Sequence, residues 1–133
     1  MTDGAFDLHR TFVHLGSEPT ASPLPDFAWT AEYLASYETR FAADGPRGRL
    51  VALSPQHETW TSWERHPAGE ELVVLLSGRI DVIQDLDGGE RLIELGPGEA
   101  LINPTGVWHT SNVHEPGEAL FITPGMGTEH RGR

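Results

Sequence analysis

The sequence predicts an all-β domain, an antiparallel sandwich or barrel, entered through an extended arm and one short helix. Three observations carry this. From residue 49 onward, short apolar runs recur at regular spacing. Turn clusters separate most of them: Pro67-Ala68-Gly69, Asp87-Gly88-Gly89, Gly96-Pro97-Gly98, Pro104-Thr105-Gly106 and Glu115-Pro116-Gly117. Convincing helical periodicity is confined to one stretch, 30–41.

Taken in order, residues 1–28 are irregular, with a short strand expected at 11–15 (TFVHL). The following SEPTASPLPD reads as an extended arm, pinned against the barrel or a partner subunit. In TAEYLASYETRF, Tyr33, Tyr37 and Phe41 fall four apart on one helix face, with Leu34 beside them. Thr30 suits the N-cap, and Ala43-Asp44-Gly45-Pro46 stops the helix. Strands are expected near 49–54, 58–66, 71–77, 79–86, 91–95, 99–103, 107–113 and 118–123. The chain therefore divides into an arm and helix over 1–47 and a barrel over 48–133, one domain overall. Its 133 residues suffice for a core, since a chain of this size hides roughly two-thirds of its unfolded surface.

Charge and composition narrow the function. The net charge of −11 argues against nucleic acid, whose binders carry a basic stripe, and against an acidic membrane surface. Cysteine is absent, which removes disulfides, thiolate nucleophiles and sulfur ligands. Lysine is absent too, so a Schiff base to pyridoxal phosphate is excluded. A bound metal must then take nitrogen and oxygen donors. The first twenty residues have no apolar run of signal-peptide length, and no stretch approaches the ~20 apolar residues of a membrane span. A cytoplasmic protein is the expectation.

Chemistry concentrates in TSWERHPAGEELVVLLSG. Alternate strand residues share a face, so Glu64 and His66 point together, with Trp63 and Arg65 opposite. The HPAGE turn reverses the chain and starts the next strand at Glu71. If that face is the interior, Glu64, His66 and Glu71 converge. Later, GPGEALINPTGVWHTSN forms a turn, a strand and a second turn, then brings in His109, which a hairpin can lay across from His66.

These two stretches resemble the paired motifs of the cupin superfamily, G-x5-H-x-H-x3,4-E-x6-G and G-x5-P-x-G-x2-H-x3-N. His66 is followed by PAGE, Glu71, six residues and Gly78; Gly98 is followed by five residues, Pro104-Thr105-Gly106, two residues and His109. Asn112 comes one position early. The resemblance implies a double-stranded β-helix, or jelly-roll barrel, with one divalent metal inside. It maps His66, Glu71 and His109 onto three of the four usual ligands. The fourth position, usually histidine, is Glu64 here. Two histidines and two carboxylates suit iron(II), manganese, zinc or nickel better than copper. Family members are often dimers, and barrel edges need covering, so a homodimer is expected.

Each site residue has a plainer alternative. His66 and His109 can be ordinary histidines beside turns. Glu71 competes with Glu70, and its spacing to Gly78 favours Glu71. Glu64 can bind metal, act as a general base in catalysis, or pair with an arginine. Trp60, Trp63 and Trp108 can be core packing. Strand parity instead aims Trp60, Ser62 and Val107 at a substrate pocket and turns Trp108 away. His57, His114 and His130 read as surface histidines, and His9 and His14 carry no signal. The expected ligand is a small organic molecule. The expected function is a metal-dependent enzyme, dioxygenase-like first, then an isomerase, lyase or hydrolase. A stand-alone ligand-binding or sensor protein is the rival from another class, and a barrel with a vestigial site is the third.

Overall fold

A computed structural model describes residues 4–133; residues 1–3, at the start of the expected arm, lie outside it. The described residues form nine strands joined in one antiparallel network, with a single α-helix. In chain order these are β1 (Thr11–Leu15), β2 (Ala21–Pro25), α1 (Ala31–Arg40), β3 (Arg49–Gln56), β4 (Ser62–Arg65), β5 (Glu71–Leu86), β6 (Gly89–Leu95), β7 (Ala100–Asn103), β8 (Trp108–Pro124) and β9 (Glu129–Gly132). One path through the sheet runs β2-β1-β3-β8-β4-β9, while β5 pairs with β6, β7 and β8.

β5 and β8 are the spines of the barrel, pairing with each other from Leu72↔Ile122 to Asp85↔Trp108. The sequence reads each as two strands, 71–77 and 79–86 for β5, and 107–113 and 118–123 for β8 with a turn at Glu115-Pro116-Gly117. Instead each runs on through a bulged bend, with register shifts between Leu75 and Ile80. Two glycines permit this. Gly78 takes φ +84°, and a Cβ there would sit 2.5 Å from the Glu115 carbonyl oxygen. A Cβ on Gly117 would sit 2.0 Å from the Ser77 carbonyl oxygen. The Gly and Pro residues that read as turn signals mark where two strands bend together at close approach.

The barrel core is Val73, Leu75, Ile80, Val82, Leu95, Leu101 and Ala119. Fully burying one of its Val, Leu or Ile side chains contributes roughly 1.5–3 kcal/mol. A second cluster joins the N-terminal segment to the barrel: Phe12, Leu24, Tyr37, Leu50 and Ala52. Here β1 pairs with β3 as well as with β2, so the arm extends the sheet. α1 starts where Thr30 Oγ1 accepts a hydrogen bond from Tyr33 N–H (3.1 Å). It gives way to an irregular 3-10 segment, Ala42–Arg47, whose Gly45 takes φ +56°.

His14, silent in the sequence, fastens this helix. It is 2% exposed. Its Nε2 lies 2.7 Å from Asp44 Oδ2 and its Nδ1 2.6 Å from the Tyr37 hydroxyl. Asp44 also accepts from Ser17 N–H and Oγ–H. The hydrogen bond from His14 does most to lower the Asp44 pKa. Burial raises that of the Tyr37 hydroxyl, keeping it a neutral donor.

β9 falls in a tail where no strand was expected. EHRG carries no apolar alternation, and β9 is held on β4 by other means. Arg65 Nε–H donates to Glu129 (2.6 Å), and Arg131 to Asp85 (2.8 Å). Arg65 and Arg131 each lie 4.6 Å from the Trp108 ring centroid, so Trp108 faces outward.

Candidate metal centre

Glu64 stands on β4 and His66 just beyond its end, on one face as strand alternation requires. The turn that follows is tied down at its start: Gly69 and Gly106 N–H both donate to the His66 carbonyl (3.4 and 3.0 Å). β5 opens with Glu71, only 1% exposed, whereas Glu70 faces solvent. His109, on β8, is the register partner of Glu64. One donor atom from each of Glu64, His66, Glu71 and His109 lies within 4.8 Å of the other three.

The distances within the group are short. His66 Nε2 is 3.1 Å from Glu64 Oε1 and 3.1 Å from Glu71 Oε2. His109 Nε2 is 3.5 Å from Glu64 Oε1 and 3.3 Å from Glu71 Oε1. Neither Nε2 is aligned as a hydrogen bond with any of these oxygens, and both are buried. The four contacts are therefore electrostatic. A buried ring nitrogen without a hydrogen bond costs about 1–3 kcal/mol. Both unpaired nitrogens face the same pair of carboxylates, the arrangement that a divalent ion satisfies. The donors are nitrogen and oxygen alone, which fits iron(II), manganese, zinc or nickel.

The atoms turned away from the centre are all engaged. His66 Nδ1 is 2.9 Å from Thr128 Oγ1, and His109 Nδ1 is 3.3 Å from the Val107 carbonyl. Glu71 accepts from Asn103 Nδ2–H (3.0 Å) and from the Thr123 hydroxyl (2.7 Å). Asn103 in turn accepts from Gln84 Nε2–H (2.9 Å). Glu64 Oε2 lies 3.0 Å from His130 Nε2. Such outer contacts fix ligand orientation and imidazole tautomer. Asn103, Thr123, Thr128 and His130 escape a sequence reading because three of the four come from outside the motif segments. His130, read as a surface histidine, is exposed, yet β9 carries it to Glu64.

Burial disfavours charge on both Glu64 and His66, but their mutual contacts outweigh it. His109 and His66 hold the Glu64 carboxyl well below the usual carboxylate range. Glu64 and Glu71 push the His66 pKa up to about 9.

Glu64, His66 and Glu71 line a cavity of about 830 Å³. Its walls include Trp29 and Leu34 from the N-terminal segment, Leu50 and Ala52 from β3, Phe121 from β8, and Met126. Trp60 lines it too, its Nε1–H donating to Gln56 Oε1 (3.0 Å) and its ring 6.2 Å from that of His109. Ser62 and Val107 share parity with the site residues but do not line the cavity. Both act through the main chain: the Ser62 carbonyl accepts from Thr110 Oγ1–H (2.9 Å), and the Val107 carbonyl faces His109. Part of the wall comes from α1 and β3, elements that parity on β4 and β8 cannot report.

Residues 49–123 match a family model described as Cupin domain. No curated protein matches the chain. Among solved structures, oxalate decarboxylase of Bacillus subtilis, a protein with Mn(II) centres, aligns with a TM-score of 0.54 at 19% identity, over 71% of this chain and 26% of that one. A hydroquinone 1,2-dioxygenase in complex with Cd²⁺ and 4-hydroxybenzonitrile aligns with a TM-score of 0.50 at 17% identity, over 59% of this chain and 58% of that one. A cupin-2 domain containing protein from Shewanella frigidimarina gives 0.49 at 22% identity, over 57% and 70%. The chain thus spans only part of the two enzymes, and at these identities the likeness is one of fold.

Proposed function

The chain belongs to the cupin domain family, and on that premise we propose that it is a metal-dependent enzyme acting on a small organic molecule. Glu64, His66, Glu71 and His109 hold one divalent ion. The observation that carries this is the pair of buried, unpaired Nε2 atoms of His66 and His109, set against two carboxylates at a large cavity. A bound divalent ion would supply Lewis acidity there and, as iron or manganese, access to oxygen chemistry. Dioxygenase-like oxidation is therefore the first reaction class, supported by the donor set and by a hydroquinone dioxygenase among proteins of the same fold.

The chain's own residues supply orientation and hydrogen bonds. Asn103 and Thr123 hold Glu71 from behind, so its carboxylate stays aimed at the centre. Glu64 is the catalytic carboxylate: Oε1 faces the two imidazoles, while Oε2, beside His130 at the cavity, accepts a hydrogen bond from substrate. Trp60 and Phe121, rings 6.4 Å apart, limit water on one side of the pocket. Oxygen uptake by iron- or manganese-loaded protein, screened with isomerase, lyase and hydrolase assays, tests the reading. Turnover lost in Glu64→Gln supports it.

The rival is a ligand-binding or sensor protein without turnover. The carboxylate at the position usually held by histidine favours it, since that exchange alters the usual donor set. Stoichiometric metal and tight ligand binding with no turnover would select it. We further infer a homodimer; sedimentation at micromolar concentration giving the monomer mass of 14.6 kDa would contradict it.

A further inference from the structure

Among the described residues the cavity wall has neither arginine nor lysine, and its His66 imidazole is held between Glu64 and Glu71. Four glutamates line the cavity: Glu64 and Glu71 at the centre, Glu38 and Glu58 exposed at its edge. Two carboxylates at the centre balance a divalent ion, which leaves the rim acids uncompensated. The rest of the wall is largely apolar and aromatic, with Trp29, Leu34, Tyr37, Trp60, Phe121 and Met126. A cavity of about 830 Å³ is far larger than a two- or three-carbon acid requires, and lies within the roughly 300–1,000 Å³ of sites for drug-sized molecules.

Resting on the metal reading above, we propose that the cavity selects an uncharged or cationic aromatic molecule and disfavours carboxylates and phosphates. Recognition of an organic anion relies on an arginine fork or a lysine ammonium, and neither is present. An anion entering here passes Glu38 and Glu58, then meets a centre whose charge is already neutralised. An aromatic ring instead finds Trp60, Phe121, Leu34 and Tyr37 in the wall. An ammonium or hydroxyl finds acceptors in the rim carboxylates.

The test is a matched series on one scaffold: 4-phenylbenzylamine, 4-phenylbenzyl alcohol and biphenyl-4-carboxylate. Each is titrated calorimetrically into the full chain, with and without saturating Zn²⁺. The amine and the alcohol are expected to bind at least about tenfold more tightly than the carboxylate in both forms. The variant E38Q/E58Q is expected to narrow the gap between amine and carboxylate by about two- to fivefold at low salt. A carboxylate that binds as tightly as the alcohol overturns the proposal, as does a series in which nothing binds below the millimolar range. Elemental analysis separates this from the metal reading. Selectivity without metal sinks only the latter; stoichiometric metal with a preferred carboxylate sinks only the selectivity.

Discussion

Glu64 and His109 sit opposite each other on β4 and β8, and the Oε1 of one lies 3.5 Å from the Nε2 of the other. That cross-strand pair is the one register pair between β4 and β8. It also leaves a buried imidazole nitrogen facing a carboxylate without a hydrogen bond between them.

Asn103→Ala removes the amide behind Glu71 Oε1 and leaves Gln84 without that acceptor. Metal affinity is expected to fall about 10- to 100-fold, and stability by roughly 1–3 kcal/mol. Zinc titration and urea unfolding of the metal-free protein read the two effects separately. Unchanged affinity would mean that Glu71 needs no support.

His130→Ala leaves Glu64 Oε2 without its partner on β9. His130 is more than half exposed, so the fold should persist with a change within about 0.5 kcal/mol. Metal dissociation should nonetheless quicken severalfold. His57→Ala, a change to an exposed histidine also at the cavity, should leave dissociation unaltered.

Acidity and metal compete at His66. Its pKa is raised from 6.5 to about 9 in the protein without metal. The associated stability is therefore fully present below pH 6.5 and is lost as pH rises through about 9. Metal must displace the His66 proton, so affinity should climb across the same window and flatten above it. Calorimetry in buffers of different ionisation enthalpy should show proton release below pH 9. Affinity independent of pH over this window would contradict the assignment.

Gly117→Ala places a methyl 2.0 Å from a main-chain oxygen at the bend of the two long strands. It should destabilise the protein by roughly 2–4 kcal/mol. Gly88→Ala, in the β5–β6 turn, has nothing within 4 Å of the added methyl and should cost less than about 0.5 kcal/mol. Equal effects at the two positions would show that close approach does not fix the bend.

How much of this is legible in the sequence depends on where a signal is stored. Strand parity and turn chemistry bring Glu64, His66 and Glu71 together and lay His109 near them, and the resemblance to the paired cupin motifs marks the four as a ligand set. α1 is written plainly in Thr30, Tyr33, Tyr37 and Phe41. The bend at Glu115-Pro116-Gly117 looks like a chain reversal because glycine serves both purposes. β9 is illegible for a different reason: its pairing rests on Arg65–Glu129 and on Arg131 against Trp108, contacts between residues far apart in the chain. The buried His14–Tyr37–Asp44 network shares that origin. The cavity wall is the least legible part, since α1, β3 and β8 each supply only a few of its side chains.

The most direct measurement is metal content by plasma mass spectrometry on untagged protein, wild type beside Glu64→Ala. About one equivalent of iron, manganese, zinc or nickel is expected in the wild type. It should be lost from the variant while the circular dichroism spectrum is unchanged. A wild type that arrives empty and cannot be reconstituted with any of these ions would contradict the metal centre and leave Glu64 as the mark of a vestigial site.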